Sequence, residues 1–341
     1  MSQTDYLGLP GKYVEEISDQ LWRIELPLPM PDLTSVNAYA IGGKDGVTLI
    51  DPGYPSPESE DMLIAALYAL GFSVGDVERI LVTHLHWDHY AQALRWQRQL
   101  GTCVYLGHEE HHAIAAVEQA QSPYSDQVAL LRTAGAHALA DDVQYLELQP
   151  YERDITLGPP DVWLHDGDQI NCGERTLVAR ATPGHTRGHF IFEIPEQGLL
   201  FTGDHVLPRI TPSIGFEPRP DPYALRSYLA SLQLLISLPA NKMLPAHGPI
   251  GQDVTTRVAE LLSHHESRLE NILSFVAAGA STAYEVAREM RWTRQLRSVD
   301  DLNTVHAMSA VLEVLAHLEV LQTQGLVEAT HSQETRLYRA S

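Results

Sequence analysis

Short apolar runs alternate with longer amphipathic stretches along most of the chain. Residues 47–50 and 80–82 have the continuous apolar character of buried strands, and residues 102–106 predict a further strand. Residues 57–71 and 90–100 place apolar side chains at helical spacing. Because strand and helix alternate, the pattern predicts a layered arrangement of helices and sheet in this part of the chain.

The pattern changes twice further along. Between residues 155 and 201 short strands dominate, for example at 162–164, and each break carries Gly, Pro or Asp. Beyond residue 252 two amphipathic helices and a third at 304–324 precede two strand-like runs around a polar turn. The 341 residues are enough for two domains, which we predict at residues 1–252 and 253–341.

A group of potential metal ligands directly follows the strand at 80–82. Side chains two apart on a strand point the same way, so His84 and His86 are aimed at one point. Asp88 and His89 follow, where the next helix is predicted to begin. Imidazole and carboxylate are ligands of zinc, iron and manganese. These four residues therefore predict a metal site at a strand-to-helix turn.

Three more potential ligands occur later, each at the end of a predicted strand. They are His185 in Thr-Pro-Gly-His-Thr-Arg-Gly-His, Asp204 in Thr-Gly-Asp, and His247 in Pro-Ala-His-Gly. With the HxHxDH run and the Asp51-Pro-Gly element, these motifs, in this order, resemble the metallo-β-lactamase-fold superfamily. The resemblance covers roughly residues 14–250. It is specific for the fold and the metal site and only weakly specific for the substrate.

The resemblance implies an α+β fold, an αβ/βα four-layer sandwich, that holds two divalent metal ions. Zinc is the expected metal, with iron or manganese as alternatives. One ion is expected at His84, His86 and His185, the second at Asp88, His89 and His247, with Asp204 bridging them. A metal-bridging hydroxide would then attack a carbonyl carbon. Asp88 and Asp204 are the expected catalytic residues, and Asp51 and His189 are expected to orient ligands by hydrogen bonds.

The bridging residue narrows the expected reaction. True β-lactamases of this fold commonly have Cys at the position of Asp204, or no bridging carboxylate, whereas the glyoxalase II and lactonase branches have Asp. The expected function is therefore hydrolysis of a small thioester, ester or lactone. The alternative is an iron-dependent redox enzyme of the same fold, similar to a persulfide dioxygenase, which needs one iron. Retention of Asp88, His89 and His247 favours two ions.

The substrate pocket is expected to be largely apolar, which suits an acyl chain or small organic acid. The Pro-rich loop at 27–33 could form one of its walls or an ordinary surface turn, and both remain open. The insertion at 120–150 could be a lid or a dimer contact. The expected wall residues of the pocket are Met30, Trp87, Tyr90, Arg209 and Ile210.

The segment 108–112 reads His-Glu-Glu-His-His and matches the HExxH zincin pattern literally. A zincin would not explain the other motifs, and surface helices often begin with acidic residues. We therefore interpret the segment as the solvated start of a helix.

Composition limits the partners. The formal charge is −21, with 23 Lys and Arg against 44 Asp and Glu, which disfavours nucleic-acid binding. The C-terminal region resembles a winged helix, but it lacks a basic stripe, so packing or homodimerisation is favoured over DNA contact. No membrane span or signal peptide is evident. Cys103 and Cys172 are expected to be buried thiols of a cytoplasmic protein.

Overall fold

The structure is a computed structural model. It describes residues 13–30, 33–120, 122–153, 155–239, 242–293 and 295–341. The N-terminal residues 1–12, on which the expectation about a signal peptide rests, lie outside these ranges, as does Pro31 of the Pro-rich loop.

The first sheet has seven strands that follow one another in chain order. They are β1 (Val14–Ser18), β2 (Leu21–Pro27), β3 (Ser35–Gly42), β4 (Val47–Ile50), β5 (Val77–Leu81), β6 (Cys103–Gly107) and β7 (Val162–Leu164). Strands β1 to β4 pair antiparallel, and β4 to β7 pair parallel. Helices α1 (Pro57–Ala69) and α2 (Trp87–Leu100) connect β4 to β5 and β5 to β6. The strands predicted at 47–50 and 162–164 are confirmed.

The second sheet has five strands in the order β12-β11-β10-β9-β8. They are β8 (Gln169–Cys172), β9 (Arg175–Ala181), β10 (Phe190–Ile194), β11 (Leu199–Gly203) and β12 (Lys242–Pro245). All neighbours pair antiparallel except β11 and β12, which are parallel and are joined through helix α6 (Ala224–Ser237). Cys172 in β8 is buried as predicted, whereas Cys103 in β6 is only half-buried, and both are free thiols.

Alternation along the strands produces the layers. In β3, Ala38 and Ala40 pack against the core that includes α1 and α2, while Tyr39 and Ile41 face a core shared with the second sheet. The other face of the second sheet packs on α6 and on the next helix, α7 (Val254–Ala277). The order helix, sheet, sheet, helix confirms the αβ/βα four-layer sandwich.

The C-terminal region is helical and ends in a hairpin. It contains α7, α8 (Ala283–Glu289), α9 (Thr304–Thr323), β13 (Val327–Ser332) and β14 (Thr335–Ala340), and the two strands pair antiparallel. Asp253 caps α7 by accepting a hydrogen bond from the backbone amide of Thr256 at 2.7 Å. The helix therefore begins at the predicted domain boundary. The boundary itself and the winged-helix likeness stay predictions.

The insertion joins this C-terminal region. Helix α3 (His111–Gln119) lies directly before the insertion, whose own helices are α4 (Ser125–Thr133) and α5 (His137–Gln144). Leu131 and Val143 of α4 and α5 belong to the same apolar core as Met308 and Leu318 of α9. The backbone amide of Tyr284 donates to the carbonyl of Ala134 at 3.0 Å. The insertion and the C-terminal helices thus share one core.

Among the described residues, α9 is the helix that is long and apolar enough to cross a membrane by length and composition. More than half of its most apolar stretch is buried inside the fold, against α7, α8 and the insertion. That burial is the usual situation of a core helix.

Candidate metal centre

The seven side chains predicted as metal ligands meet at the carboxyl ends of strands from both sheets. His84 and His86 follow β5, and Asp88 and His89 lie in the first turn of α2. The other three follow strands of the second sheet: His185 after β9, Asp204 after β11 and His247 after β12. Because β9, β11 and β12 run in the same direction, their carboxyl ends share one edge of the sheet.

The first group consists of three imidazoles and Asp204. His86 Nδ1 is 2.9 Å from His84 Nε2 and 3.1 Å from His185 Nε2. Burial lowers the pKa of His86 to about 3 and also lowers the pKa values of His84 and His185. These rings are therefore neutral at pH 7, which is the protonation state that binds a metal ion.

The second group consists of Asp88, His89 and His247. Asp88 Oδ2 lies 3.4 Å from His89 Nε2 and 3.3 Å from His247 Nε2. Asp204 Oδ1 is 3.3 Å from His247 Nε2, and its Oδ2 is 3.6 Å from His185 Nε2. The two oxygens of Asp204 thus face the two groups, which is the position that a bridging carboxylate requires.

The charges of the second group differ from those of the first. Burial opposes protonation of His89, but the Asp88 and Asp51 carboxylates outweigh it and raise the pKa of His89 well above its usual value. Burial likewise opposes protonation of His247, but Asp204 and Asp88 raise its pKa. Protons on His89 and His247 therefore balance the charge of the carboxylates, and a bound cation would displace these protons.

Several polar atoms in the centre are buried without a hydrogen-bond partner. They are His86 Nε2, His89 Nε2, His247 Nε2 and Asp204 Oδ1. Buried polar atoms left unpaired cost free energy, typically about 1–3 kcal/mol each. Three of them, on His89, His247 and Asp204, lie close together in the space between the two carboxylates. The donor set of imidazole nitrogens and carboxylate oxygens therefore fits divalent cations.

Hydrogen bonds behind the ligands select their tautomers. His185 Nδ1 lies 2.8 Å from the carbonyl of Ser213, and His247 Nδ1 lies 2.8 Å from the carbonyl of Ser35. Since a carbonyl accepts, each Nδ1 carries a proton, which leaves each Nε2 as the atom that can bind an ion. This arrangement is typical of metal-binding histidines.

Asp51 and His189 support the centre as expected. Asp51 accepts hydrogen bonds from the backbone amide and the hydroxyl of Thr83, at 2.8 and 2.7 Å, and its Oδ2 is 3.1 Å from His89 Nδ1. Asp51 has a φ of 50°, in the left-handed region. The backbone amide of Asp204 donates to His189 Nε2 at 3.2 Å. The hydrogen bonds predicted for Asp51 and His189 are thus present, and their role in orienting metal ligands stays a prediction.

Glu110 is a residue that sequence reasoning missed. We expected it in a solvated helix start, but it is fully buried. Its Oε1 accepts from the hydroxyl of Thr186 at 2.5 Å and from the backbone amide of Leu85 at 3.3 Å. Glu110 therefore links the loop of His84 and His86 to the loop of His185. Burial raises its pKa to about 8. No local pattern in the sequence signals this role.

A cavity of about 850 Å³ opens onto His86, Asp88, His185 and Asp204. The Pro-rich loop forms part of its wall through Met30 and Leu33. Residues of α3 and of α4, the first helix of the insertion, form another part. The cavity includes these apolar or aromatic wall residues: Met30, Leu33, Leu85, Trp87, Ala116, Val117, Tyr124, Leu148, Ile155, Leu157 and Phe216.

The expected wall residues are only partly correct. Met30 and Trp87 line the cavity. The prediction for Tyr90 is wrong, because its ring is wholly buried in the core and its hydroxyl donates to the carbonyl of Gly158 at 2.7 Å. Arg209 and Ile210 also lie outside the cavity wall, on a loop whose Ile210 carbonyl accepts from Arg257. Helical spacing placed Tyr90 near the site but could not show which face of α2 it occupies.

The family model and the curated relatives that match this chain carry the same superfamily description or lactamase-like names. The family model of the metallo-beta-lactamase superfamily matches residues 31–247. The chain is 24% identical to the "Beta-lactamase-like protein 2 homolog" of Caenorhabditis elegans, over 93% of this chain and 89% of that one. It is 26% identical to the "Lactamase-like protein nscB" of Neosartorya fischeri, over 82% of this chain and 73% of that one.

Solved structures extend the likeness to nearly the whole chain. A metallo-beta-lactamase family protein from Thermus thermophilus is 26% identical, with a TM-score of 0.77 over 96% of this chain and 100% of that one. A beta-lactamase domain protein from Burkholderia ambifaria is 25% identical, with a TM-score of 0.75 over 96% of this chain and 93% of that one. Because the family model matches well over half of the chain and the layered fold agrees, this chain belongs to the metallo-beta-lactamase superfamily.

Proposed function

We propose that the chain is a metal-dependent hydrolase that cleaves a thioester, an ester or a lactone. The observation that carries this proposal is the pair of buried ligand groups that share Asp204 beside an apolar cavity. The superfamily membership and the lactamase-like names of the relatives support a hydrolase.

Two divalent ions fit the two groups. His84, His86 and His185 would hold one, Asp88, His89 and His247 the other, and Asp204 would contact both. Ions bound in this way supply Lewis acidity and lower the pKa of water, so that a hydroxide nucleophile is available at neutral pH. Zinc is the expected metal because imidazole-rich sites suit it, and iron and manganese remain alternatives.

The chain's own residues perform the remaining tasks. Asp88 contacts both His89 and His247 and lines the cavity, so it can accept a proton there and pass it to the leaving group. His89 and His247 hold the pKa of Asp88 well below its usual range, against the effect of burial. Asp88 is therefore ionised, which is the form in which a carboxylate can bind a cation.

The cavity favours an apolar acyl group. Its wall carries the aromatic rings of Trp87 and Phe216, together with Tyr124 of the insertion. A cavity of 850 Å³ lies near the upper end of the usual range for small-molecule sites, which is about 300–1,000 Å³. We therefore propose an acyl part larger than acetyl, held by apolar contact, with the scissile carbonyl directed at Asp88 and Asp204.

The test uses chelator-treated protein reconstituted with zinc, manganese or iron(II). A panel of thioesters, aryl esters and lactones with short and long acyl groups would be assayed. We expect hydrolysis that disappears with chelation, returns with about two ions per chain, and is faster for longer acyl groups. His84→Ala should remove it, while His331→Ala, an exposed residue of the C-terminal hairpin, should not.

Two results would overturn the proposal. One is binding of a single iron per chain with uptake of oxygen, as a persulfide dioxygenase would show. The other is failure of every metal form to cleave any carbonyl substrate in the panel. The cytoplasmic location, a possible homodimer and the absence of nucleic-acid or membrane partners stay predictions.

A further inference from the structure

We propose that His108, Glu109 and His111 form a second, separate binding site for a transition-metal ion at the surface. The site lies on the single-turn 3₁₀ helix His108–Glu110 and the first residue of α3. None of the three residues lines the cavity of the candidate centre. The ligand set, two imidazoles and one carboxylate, suits zinc, nickel or copper in the divalent state.

The three side chains are close enough to share one ion. One ligand atom from each lies within 4.8 Å of the others. His108 Nδ1 is 2.9 Å from Glu109 Oε1. Ligand atoms around a tetrahedral zinc ion are about 3.3 Å apart, given bonds of about 2.0 Å. The side chains of His108 and Glu109 are 42% and 52% exposed, which leaves room for the small rotations that this spacing requires.

His111 is already in the tautomer that binds a metal. Its Nδ1 lies 2.7 Å from the carbonyl of His108, so Nδ1 carries the proton and Nε2 offers its lone pair. His185 and His247 of the candidate centre make the same kind of bond to backbone carbonyls. One imidazole of the surface site therefore has the same hydrogen bond from Nδ1 to a backbone carbonyl as two imidazoles of the candidate centre.

Packing limits the movement of these rings. The imidazole of His108 stacks on that of His165, with the ring centroids 5.1 Å apart. The ring of Trp163 stands edge-on to both His108 and His111, at centroid distances of 5.9 and 6.4 Å. Rings held in this way lose less conformational entropy when an ion binds. Trp163 also places a fluorophore next to the proposed ion.

The site is not a zincin, although it lies within the HExxH match. That mechanism needs His108 and His112 as ligands on one continuous α-helix, with Glu109 as the base. Here residues 108–110 form a 3₁₀ turn and the α-helix begins only at His111. Glu109 consequently lies among the imidazoles as a ligand. We infer a binding site without its own hydrolytic activity.

Glu110 connects the site to the rest of the fold. It stands between the proposed ligands Glu109 and His111, and its buried carboxyl contacts Leu85 and Thr186. An ion held by the neighbouring side chains would restrain this segment. Because the ion binds the folded chain alone, it should raise the temperature of unfolding as its concentration increases.

The experiment uses full-length protein whose candidate centre has first been saturated with zinc. Nickel is then added while ion binding is followed by equilibrium dialysis and by quenching of tryptophan fluorescence. We expect one further ion per chain. Trp163→Phe should remove the quenching but keep the binding.

Variants separate this site from exchange at the candidate centre. His108→Ala and His111→Gln should each weaken binding of the further ion by about tenfold or more. The matched control His331→Ala should not. Hydrolysis should stay unchanged in all of them. The proposal is overturned if no further ion binds, or if the His108 and His111 variants bind nickel as the wild type does.

Discussion

Replacing Asp51 by Asn tests whether the network behind the metal ligands sets the affinity of the centre. In the native chain all three partners of Asp51 donate: the amide and hydroxyl of Thr83, and His89 Nδ1. The amide side chain of Asn has the same shape but only one accepting oxygen. If that oxygen continues to accept the hydrogen bond from the Thr83 amide, the NH₂ group of the Asn side chain faces the Thr83 hydroxyl and His89 Nδ1.

The consequence for His89 can be worked out from these contacts. The hydroxyl of Thr83 can turn and accept, but His89 Nδ1 can accept only by losing its proton. The proton then occupies Nε2, the atom that the ion needs. Loss of such a supporting group typically lowers metal affinity 10- to 100-fold, which is about 1.4–2.7 kcal/mol. We expect this loss for the group of Asp88, His89 and His247 and a much smaller one for the other group.

Stepwise metal competition with a chromophoric chelator measures both affinities. Asp161→Asn is a matched control, because Asp161 also accepts from a backbone amide, that of Val104 at 2.9 Å, but lies away from the centre. The reasoning is refuted if Asp51→Asn binds both ions as tightly as the wild type. Equal weakening of both sites would also contradict it, since that result indicates general loss of structure.

Three further predictions concern activity and stability. His86→Ala should abolish hydrolysis and leave the far-ultraviolet circular dichroism unchanged, and full activity on every carbonyl substrate would contradict the assignment. Burial raises the pKa of Glu110 from 4.5 to about 8. The contribution of its neutral carboxyl to the free energy of unfolding is therefore fully present below pH 4.5 and is lost as the pH rises through 8. Glu110→Gln should therefore raise the free energy of unfolding of chelator-treated protein, measured in urea, by up to about 3 kcal/mol at pH 7 and by less than about 1 kcal/mol at pH 5. A variant whose stability depends on pH as that of the wild type does would contradict this prediction. Burial lowers the pKa of His317 to about 3. The contribution of its neutral imidazole to the free energy of unfolding is therefore present above pH 6.5 and is lost as the pH falls. His317→Gln should reduce the loss of stability between pH 6.5 and 5 by up to about 2 kcal/mol, and an unchanged acid slope in urea unfolding would refute this.

Much of the fold was predictable because its signals are local. Residues 47–50 and 162–164 are short apolar runs bounded by turns, and the structure has strands with the same ends. The helix predicted at 304–324 ends one residue earlier, at Thr323. The HxHxDH run was informative because it brings four potential ligands together at a strand-to-helix turn, although His84 and His86 lie in the loop after β5 and not on the strand as expected.

Other features depended on contacts between distant segments. Tyr90 and Trp87 both lie in α2, yet Tyr90 is in the core and Trp87 lines the cavity. The insertion had no motif, and its position became clear only because Leu131 packs in the C-terminal core. Glu110 is charged and lies inside a literal HExxH match, yet it is fully buried. Residue type and spacing do not report such burial.

The amino-acid pattern alone therefore predicted the order of strands and helices, the residue types of the candidate ligands and the family likeness, since each of these depends on neighbours a few positions apart. Folding established which oxygen of Asp204 faces which group, which tautomers the histidines adopt and which segments enclose the cavity. The reason is physical. These properties arise from hydrogen bonds between residues far apart in the chain, such as Glu110 with Thr186, 76 positions apart, and His247 with Ser35, 212 positions apart.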